Sequence, residues 1–377
     1  MSAKAPDLAT IVTQFRSLRG KHAKSVKAKS AASAAGATTY HADKDAELLR
    51  TALGGAVMLE FATLPPYLSA IWSFKNDLHP VAKSLRRILQ EEMLHMALVC
   101  NMLVAIGGRP AINTAAPVYP GKLPLNVHPE LTVPLGGFSP AALAVFMEIE
   151  RPKHPGHMIS LAAANKLMGH VVPGDNDDDL TIGQMYDELL QSFMRQRPEM
   201  STDHQITGPL AWMVVRHVDE VARAIGIIQR QGEGSSGPMD TGADDLAHYY
   251  RFAEMAERKK LEQAEAGGPF EFKTPIDLDY ARDVWPVGTV PAGGWRDEQM
   301  PNPDVRHLVR SFNLTYSKLL DLLQAAWDTR GGQASFLHAI ETMFALEKYA
   351  KPLMQMPRPD GEGNYAPDFR YIPRDKR

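Results

Sequence analysis

Two acidic positions that periodicity buries constrain this chain more than anything else in it. Glu60 shares a helical face with Ala56, Val57, Thr63 and Leu64. Further on, Glu92-x-x-His95 shares one with Ile88, Leu89, Met96, Val99 and Met102. Residues three and four apart stack on one side of a helix, so these polar groups point into a core, where an unpaired carboxylate is very costly. A bound metal ion is one way to offset that cost. One Glu on a helix and Glu-x-x-His on the next make half of a carboxylate-bridged two-metal site in a four-helix bundle.

The rest of the 377 residues suits such a bundle. A chain 44% hydrophobic and 23% charged buries a substantial core. The net charge of −3 and the lack of a recognition motif argue against a nucleic-acid partner. Cys100 is the only cysteine. It excludes a disulfide framework or a cysteine-based cluster, and fits a reducing, cytoplasmic setting. No apolar run of about eighteen residues is evident, so no membrane span is predicted.

Helical periodicity runs from Asp45 to Phe74, where Pro65-Pro66 is expected to kink or interrupt it, and from Val81 to Ile106. Residues 109–139 hold six prolines and no period, as a long bundle crossover would. Ser139-Pro140 caps a third helix that ends near Glu150 and Pro152. Further helices are predicted at Thr181–Met194, Pro209–Gln231, Asp244–Gln263, 303–328 and 333–355, without a convincing strand. The layout is all-α, a four-helix bundle with a long crossover, inserts and a C-terminal helical extension. Its divisions are a flexible basic arm (1–44), a di-metal bundle with inserts (45–265), and a wrapping segment plus helical hairpin packed on the bundle (266–377).

A complete site of this kind needs four carboxylates and two histidines. On the third helix Glu150 shares a face with Leu143, Phe146 and Met147, and is preferred narrowly over Glu148. No Glu-x-x-His occurs after residue 95. The substitutes are Glu233, set between two glycines, paired with His248, and Asp245 of Asp245-x-x-His248 as the alternate. Arg251 and Glu254 lie one and two turns beyond His248, placed to hydrogen-bond the ligands. His154, His157, His170, His204 and His217 read as loop or surface residues. The acidic run Asp175–Asp179 lacks the glycine and terminal Glu of a calcium loop. Met93, Met96 and Met102 read as core filler.

Several stretches together resemble a known family. They are Leu59-Glu60-Phe61-Ala62-Thr63-Leu64-Pro65-Pro66-Tyr67-Leu68, Glu91-Glu92-Met93-Leu94-His95-Met96 with Ile106-Gly107-Gly108, Ile149-Glu150-Arg151-Pro152, Gln231-Gly232-Glu233-Gly234, and His248 to Glu254. The helix with Phe312-Asn313-Leu314-Thr315-Tyr316 is similar to the family's C-terminal part. The chain resembles the ferritin-like domain family associated with iminophenyl-pyruvate dimer synthases, which couple oxidised tryptophan units in violacein and related bisindole pathways. The resemblance implies a ferritin-like bundle with a di-metal centre at Glu60, Glu92, His95, Glu150, Glu233 and His248. Those synthases are much longer chains, so their reaction is not implied for this one.

Such a centre implies an oxidoreductase with two iron ions, manganese being equally suited to the ligand set. It would activate O2 or peroxide on a small, amino-acid-derived substrate, in a pocket shaped by Pro65-Pro66 and the inserts. The competing readings are metal handling of the ferroxidase type and a metal-free scaffold; a homodimer is compatible with all of them.

Overall fold

The computed structural model describes residues 37–153, 159–168, 180–206, 214–234, 238–240, 245–263, 265–329 and 332–377. The basic arm up to residue 36, the acidic run Asp175–Asp179, and the first residues of the helix expected from Pro209 lie outside these. Helix α1 is Ala37–Trp72 and α2 is Pro80–Ala105. These two pack side by side and carry the first half of the site. The crossover comes next, then α3 (Pro140–Ile149), α4 (Leu161–Met168), α5 (Ile182–Gln196) and α6 (Val218–Gly232). Ser139 accepts Ala142 N–H to open α3, and Thr181 with Gln184 forms a reciprocal capping box on α5. Helix α7 (His248–Glu257) packs on α3, while α5 and α6 pack together against α1 and α2.

Helix α1 runs without a break through Pro65 and Pro66, contrary to the interruption the sequence suggested. Two prolines lack the donors that would reach the carbonyls of Phe61 and Ala62 four residues back. Tyr119, from the crossover, supplies one of them: its hydroxyl donates to Ala62 O at 2.7 Å. That hydroxyl is buried with the carbonyl it serves. Tyr119→Phe should therefore destabilise the metal-free protein by about 1–3 kcal/mol, the cost of an orphaned buried carbonyl. Denaturant unfolding would measure it, and a loss of only a few tenths would show that the helix does not need this donor.

The crossover packs into the core through Leu123, Leu125, Val127, Leu131, Val133 and Leu135. The helix expected over 244–263 is not one element. Two-residue strands β1 (Met239–Asp240) and β2 (Asp245–Leu246) precede α7, and β3 (Lys259–Gln263) comes after it. Arg258 takes a left-handed conformation with φ 51°, which ends α7. Strand β3 then pairs antiparallel with β4 (Phe270–Pro275) and turns Leu261 inward. The segment's Glu- and Lys-rich composition looks helical, yet this pairing and the buried Leu261 decide its form. After the short α8 (Tyr280–Asp283), α9 (Pro303–Asp328) and α10 (Gln333–Leu353) form a hairpin that packs on α1 and α2.

Two buried polar knots tie the hairpin and the last residues to the bundle. Asn101 of α2 exchanges hydrogen bonds with the Ile206 backbone and accepts the Trp327 indole N–H at 2.9 Å. Asn313 donates to Asp368 at 2.7 Å and accepts Arg370 N–H. Between them Phe369 is buried against Trp72, Phe312 and Tyr316. By length and composition α2 could cross a membrane, which its sequence alone did not suggest. Here 78% of its most apolar window is buried inside the protein, because it is the bundle's central helix.

Candidate metal centre

Five of the expected ligands converge. Glu60 comes from α1, Glu92 and His95 from one face of α2, Glu150 from the residue that caps α3, and His248 from the first position of α7. All are at least 97% buried. They form two groups whose ligand atoms lie within 4.8 Å of one another: Glu60, Glu92 and His95, and Glu92, Glu150 and His248. Glu92 belongs to both. His95 Nδ1 is 3.7 Å from Glu60 and 3.4 Å from Glu92. His248 Nδ1 is 2.8 Å from Glu92 and 3.8 Å from Glu150. The two imidazoles lie nearly parallel, 5.6 Å apart.

The outer nitrogens show how the inner ones are aimed. His95 Nε2 is 2.8 Å from Gln231 Oε1, and His248 Nε2 is 2.9 Å from Glu91 Oε2. Those oxygens accept, so each Nε2 carries a proton, and each Nδ1 is left as the nitrogen that faces the carboxylates, where a metal would displace its proton. The carboxylates are held the same way. Tyr186 donates to Glu60, Tyr67 donates to Glu150 at 2.8 Å, and Thr63 Oγ1 lies 2.9 Å from Glu92. Burial and the adjacent carboxylates push both phenols well above their ordinary range, so they stay protonated donors.

Without a cation this core is overcharged. Burial, reinforced by the Glu92 charge, raises the Glu60 carboxyl to about 8. Burial also acts against ionised Glu92, but the two imidazoles more than offset it and hold this carboxyl below its usual range. Both imidazoles are in turn pushed up by these carboxylates despite their burial. Protons thus substitute for positive charge. His248 Nδ1 makes no hydrogen bond although Glu92 is 2.8 Å away. A buried set of oxygen and imidazole donors whose inward nitrogens face carboxylates could hold a metal ion.

The remaining candidates sit around the centre. Glu233 caps the end of α6 outside both groups, and its carboxylate accepts Gly183 N–H at 2.6 Å. A methyl group at Gly183 would strike that carboxylate, which explains the glycine. Burial raises Glu233 to about 7. Glu148 points away from the ligands, to Arg151 at 2.9 Å and His128 at 3.3 Å. Asp245 pairs with Arg87 at 2.7 Å on the rim. Arg251 lies behind the candidate groups, 2.5 Å from Glu91. Glu254 does not; it accepts Leu261 N–H and pairs with Lys260, fastening β3 to α7. Of the histidines set aside, His154, His157 and His170 lie outside the described residues, His217 is exposed and His204 is partly so.

Sequence reasoning missed Glu91, Gln231 and the buried His128. Glu91 and Gln231 stand inside the motifs that carry the resemblance, and their adjacency to Glu92 and Glu233 was the available signal. The His248 and Arg251 contacts outweigh burial and hold Glu91 down at about 2, ionised. Glu91→Gln should weaken metal affinity about 10–100-fold, as loss of a ligand's outer partner does elsewhere. Competition with a chelator would measure it, and unchanged affinity would remove Glu91 from the site.

Fold and centre together define a helical bundle whose core carries candidate metal-ligating carboxylates and histidines. The chain belongs to the ferritin-like family, whose profile matches residues 53–257, more than half of its length. It is 25% identical over 268 residues to the dichlorochromopyrrolate synthase of Lentzea aerocolonigenes, an alignment covering 64% of this chain. The chain spans only 24% of that relative's length. Its fold is also that of a ferritin like protein from Caulobacter vibrioides, with a TM-score of 0.56 at 20% identity, covering 86% of this chain and 97% of the other.

Proposed function

We propose that this chain is a di-metal oxidoreductase that uses two iron or manganese ions to activate O2 or peroxide on a small organic substrate. The observation that carries the reading is the pair of three-residue groups sharing Glu92. In it Glu60 and His95 would hold one ion and Glu150 and His248 the other, with Glu92 within reach of both. Ions held there would supply the redox chemistry when bound. The protein's part is to fix the ligands: Tyr186 and Tyr67 keep one oxygen of Glu60 and Glu150 engaged, while Gln231 and Glu91 set the imidazoles. Similarity to a synthase named for dichlorochromopyrrolate favours an amino-acid-derived substrate, although the chain matches only part of that protein.

The test is metal analysis of protein purified without added metal, then anaerobic ferrous reconstitution and exposure to O2. About two irons per chain with consumption of O2 are expected. Failure to bind metal would leave a scaffold, and oxidation of iron with no organic substrate consumed would favour metal handling. Glu233→Gln should retain both ions, since Glu233 is held by Gly183. Loss of an ion in that variant would make Glu233 the fourth carboxylate.

A further inference from the structure

One groove of this weakly acidic chain gathers positive charge. A face of α9 and the final segment, residues 370–376, border a volume of about 420 Å3. Arg306, His307 and Arg310 line it from the helix, and Arg370 and Lys376 from the segment. Asp297 is the one acidic residue of its wall. The chain as a whole carries a net charge of −3, so four Lys and Arg against one Asp run counter to its composition.

The spacing is as unusual as the count. Residues four apart are neighbours on a helix surface. Elsewhere this chain uses that spacing for ion pairs: Arg87 with Glu91, Arg216 with Glu220, and Glu347 with Lys351. Arg306 and Arg310 put two like charges at it, and no acid stands three or four positions from either. Such a pair weakly destabilises its helix. An anion bound between them would turn repulsion into attraction.

The frame behind these charges is fixed by hydrogen bonds. Arg370 N–H donates to Asn313 Oδ1 at 3.0 Å, and Ile372 N–H donates to Ser317 Oγ at 2.8 Å, tying the final segment to α9. Two guanidiniums are oriented by the protein. Arg306 Nη1 donates to the Met300 and Pro301 carbonyls at 2.6 and 2.9 Å. Arg370 Nε lies 2.7 Å from the buried Asp368. Each keeps further N–H groups without a partner among the described residues. The side chains of His307, Arg310 and Lys376 make no hydrogen bond or ion pair among them, and Asp297 neutralises none of these cations.

The groove's volume falls in the range of small-molecule sites, about 300–1,000 Å3. Planar guanidinium forks match phosphate oxygens two at a time. No Phe, Tyr or Trp lines the groove, so it lacks the stacking platform that single-stranded nucleic acids use.

We propose that this groove binds a small anion bearing two phosphate groups, held chiefly by Arg306, Arg310 and Arg370. It shares no residue with the two candidate metal groups, so it stands or falls apart from the function proposed above.

The probe is fructose 1,6-bisphosphate, with inorganic phosphate as the single-phosphate comparison, titrated calorimetrically into the full chain as purified. Saturable binding of the bisphosphate is expected, with inorganic phosphate weaker by about tenfold or more. Arg310→Gln and Lys376→Gln remove exposed charges that brace nothing else, so both variants should fold. Arg310→Gln should weaken the bisphosphate about 10–100-fold, the range of a hydrogen bond to a charged group, and Lys376→Gln should act in the same direction. Lys83→Gln, at an exposed lysine of α2 that does not line the groove, should leave affinity unchanged. Absence of saturable binding, or binding that neither groove variant weakens, overturns the site. An equal loss in Lys83→Gln would reveal general charge attraction and overturns it as well. Inorganic phosphate binding as tightly as the bisphosphate overturns the two-phosphate ligand. Tighter binding of a short DNA duplex, weakened by the same two groove variants, would assign the groove to nucleic acid instead.

Discussion

Glu92→Ala should abolish binding of both metal ions at once, whereas His95→Ala and His248→Ala should each remove about one. The asymmetry follows from geometry, because Glu92 alone belongs to both three-residue groups. His95 Nδ1 lies beside Glu60 and His248 Nδ1 beside Glu150, so in the proposed centre each would serve a different ion. Metal per chain after reconstitution, measured by mass spectrometry, reads this directly. Activity should vanish in all three variants, so stoichiometry is the informative quantity. Retention of two ions by Glu92→Ala would remove its bridging role. Loss of both in His95→Ala would mean that the ions bind only as a pair.

The second large effect is structural. Phe369→Ala should cost about 3–5 kcal/mol, the usual loss for a buried aromatic truncated in a core. Phe369 is 1% exposed and lies 4.8 Å from the Phe312 ring, 5.2 Å from Tyr316 and 6.0 Å from Trp72. It thereby closes α1, α9 and the final segment into one core. Thermal unfolding should show a midpoint lower by roughly 4–6 °C. A shift of a degree or two would mean that the last residues unfold apart from the bundle.

Much of the centre was legible because a helix period is a local property. Ala56, Val57 and Leu64 around Glu60, and Ile88, Leu89 and Val99 around Glu92, suffice to bury both carboxylates. Choosing Glu150 over Glu148 rested on the same rule, and Glu150 falls in a group that could hold a metal while Glu148 turns to Arg151. What the sequence hid depends on partners distant in the chain. Glu91 looks like any surface carboxylate until α7 brings His248 and Arg251 to it. Glu233 and Glu254 looked available because nothing local announces Gly183 or Leu261 as their partners. Arg258 ends α7 through a left-handed turn that a run of Lys and Glu does not advertise.

The same dependence has a practical edge at Pro65-Pro66. The helix that bears Glu60 borrows a donor from Tyr119, more than fifty positions downstream. Anyone trimming this protein to a minimal metal-binding scaffold would be tempted to replace residues 109–139 with a short linker. Doing so would remove the hydroxyl that serves the Ala62 carbonyl, two residues from Glu60. The crossover is thus a component of the centre, and a miniature must either retain Tyr119 or restore ordinary amides at 65 and 66.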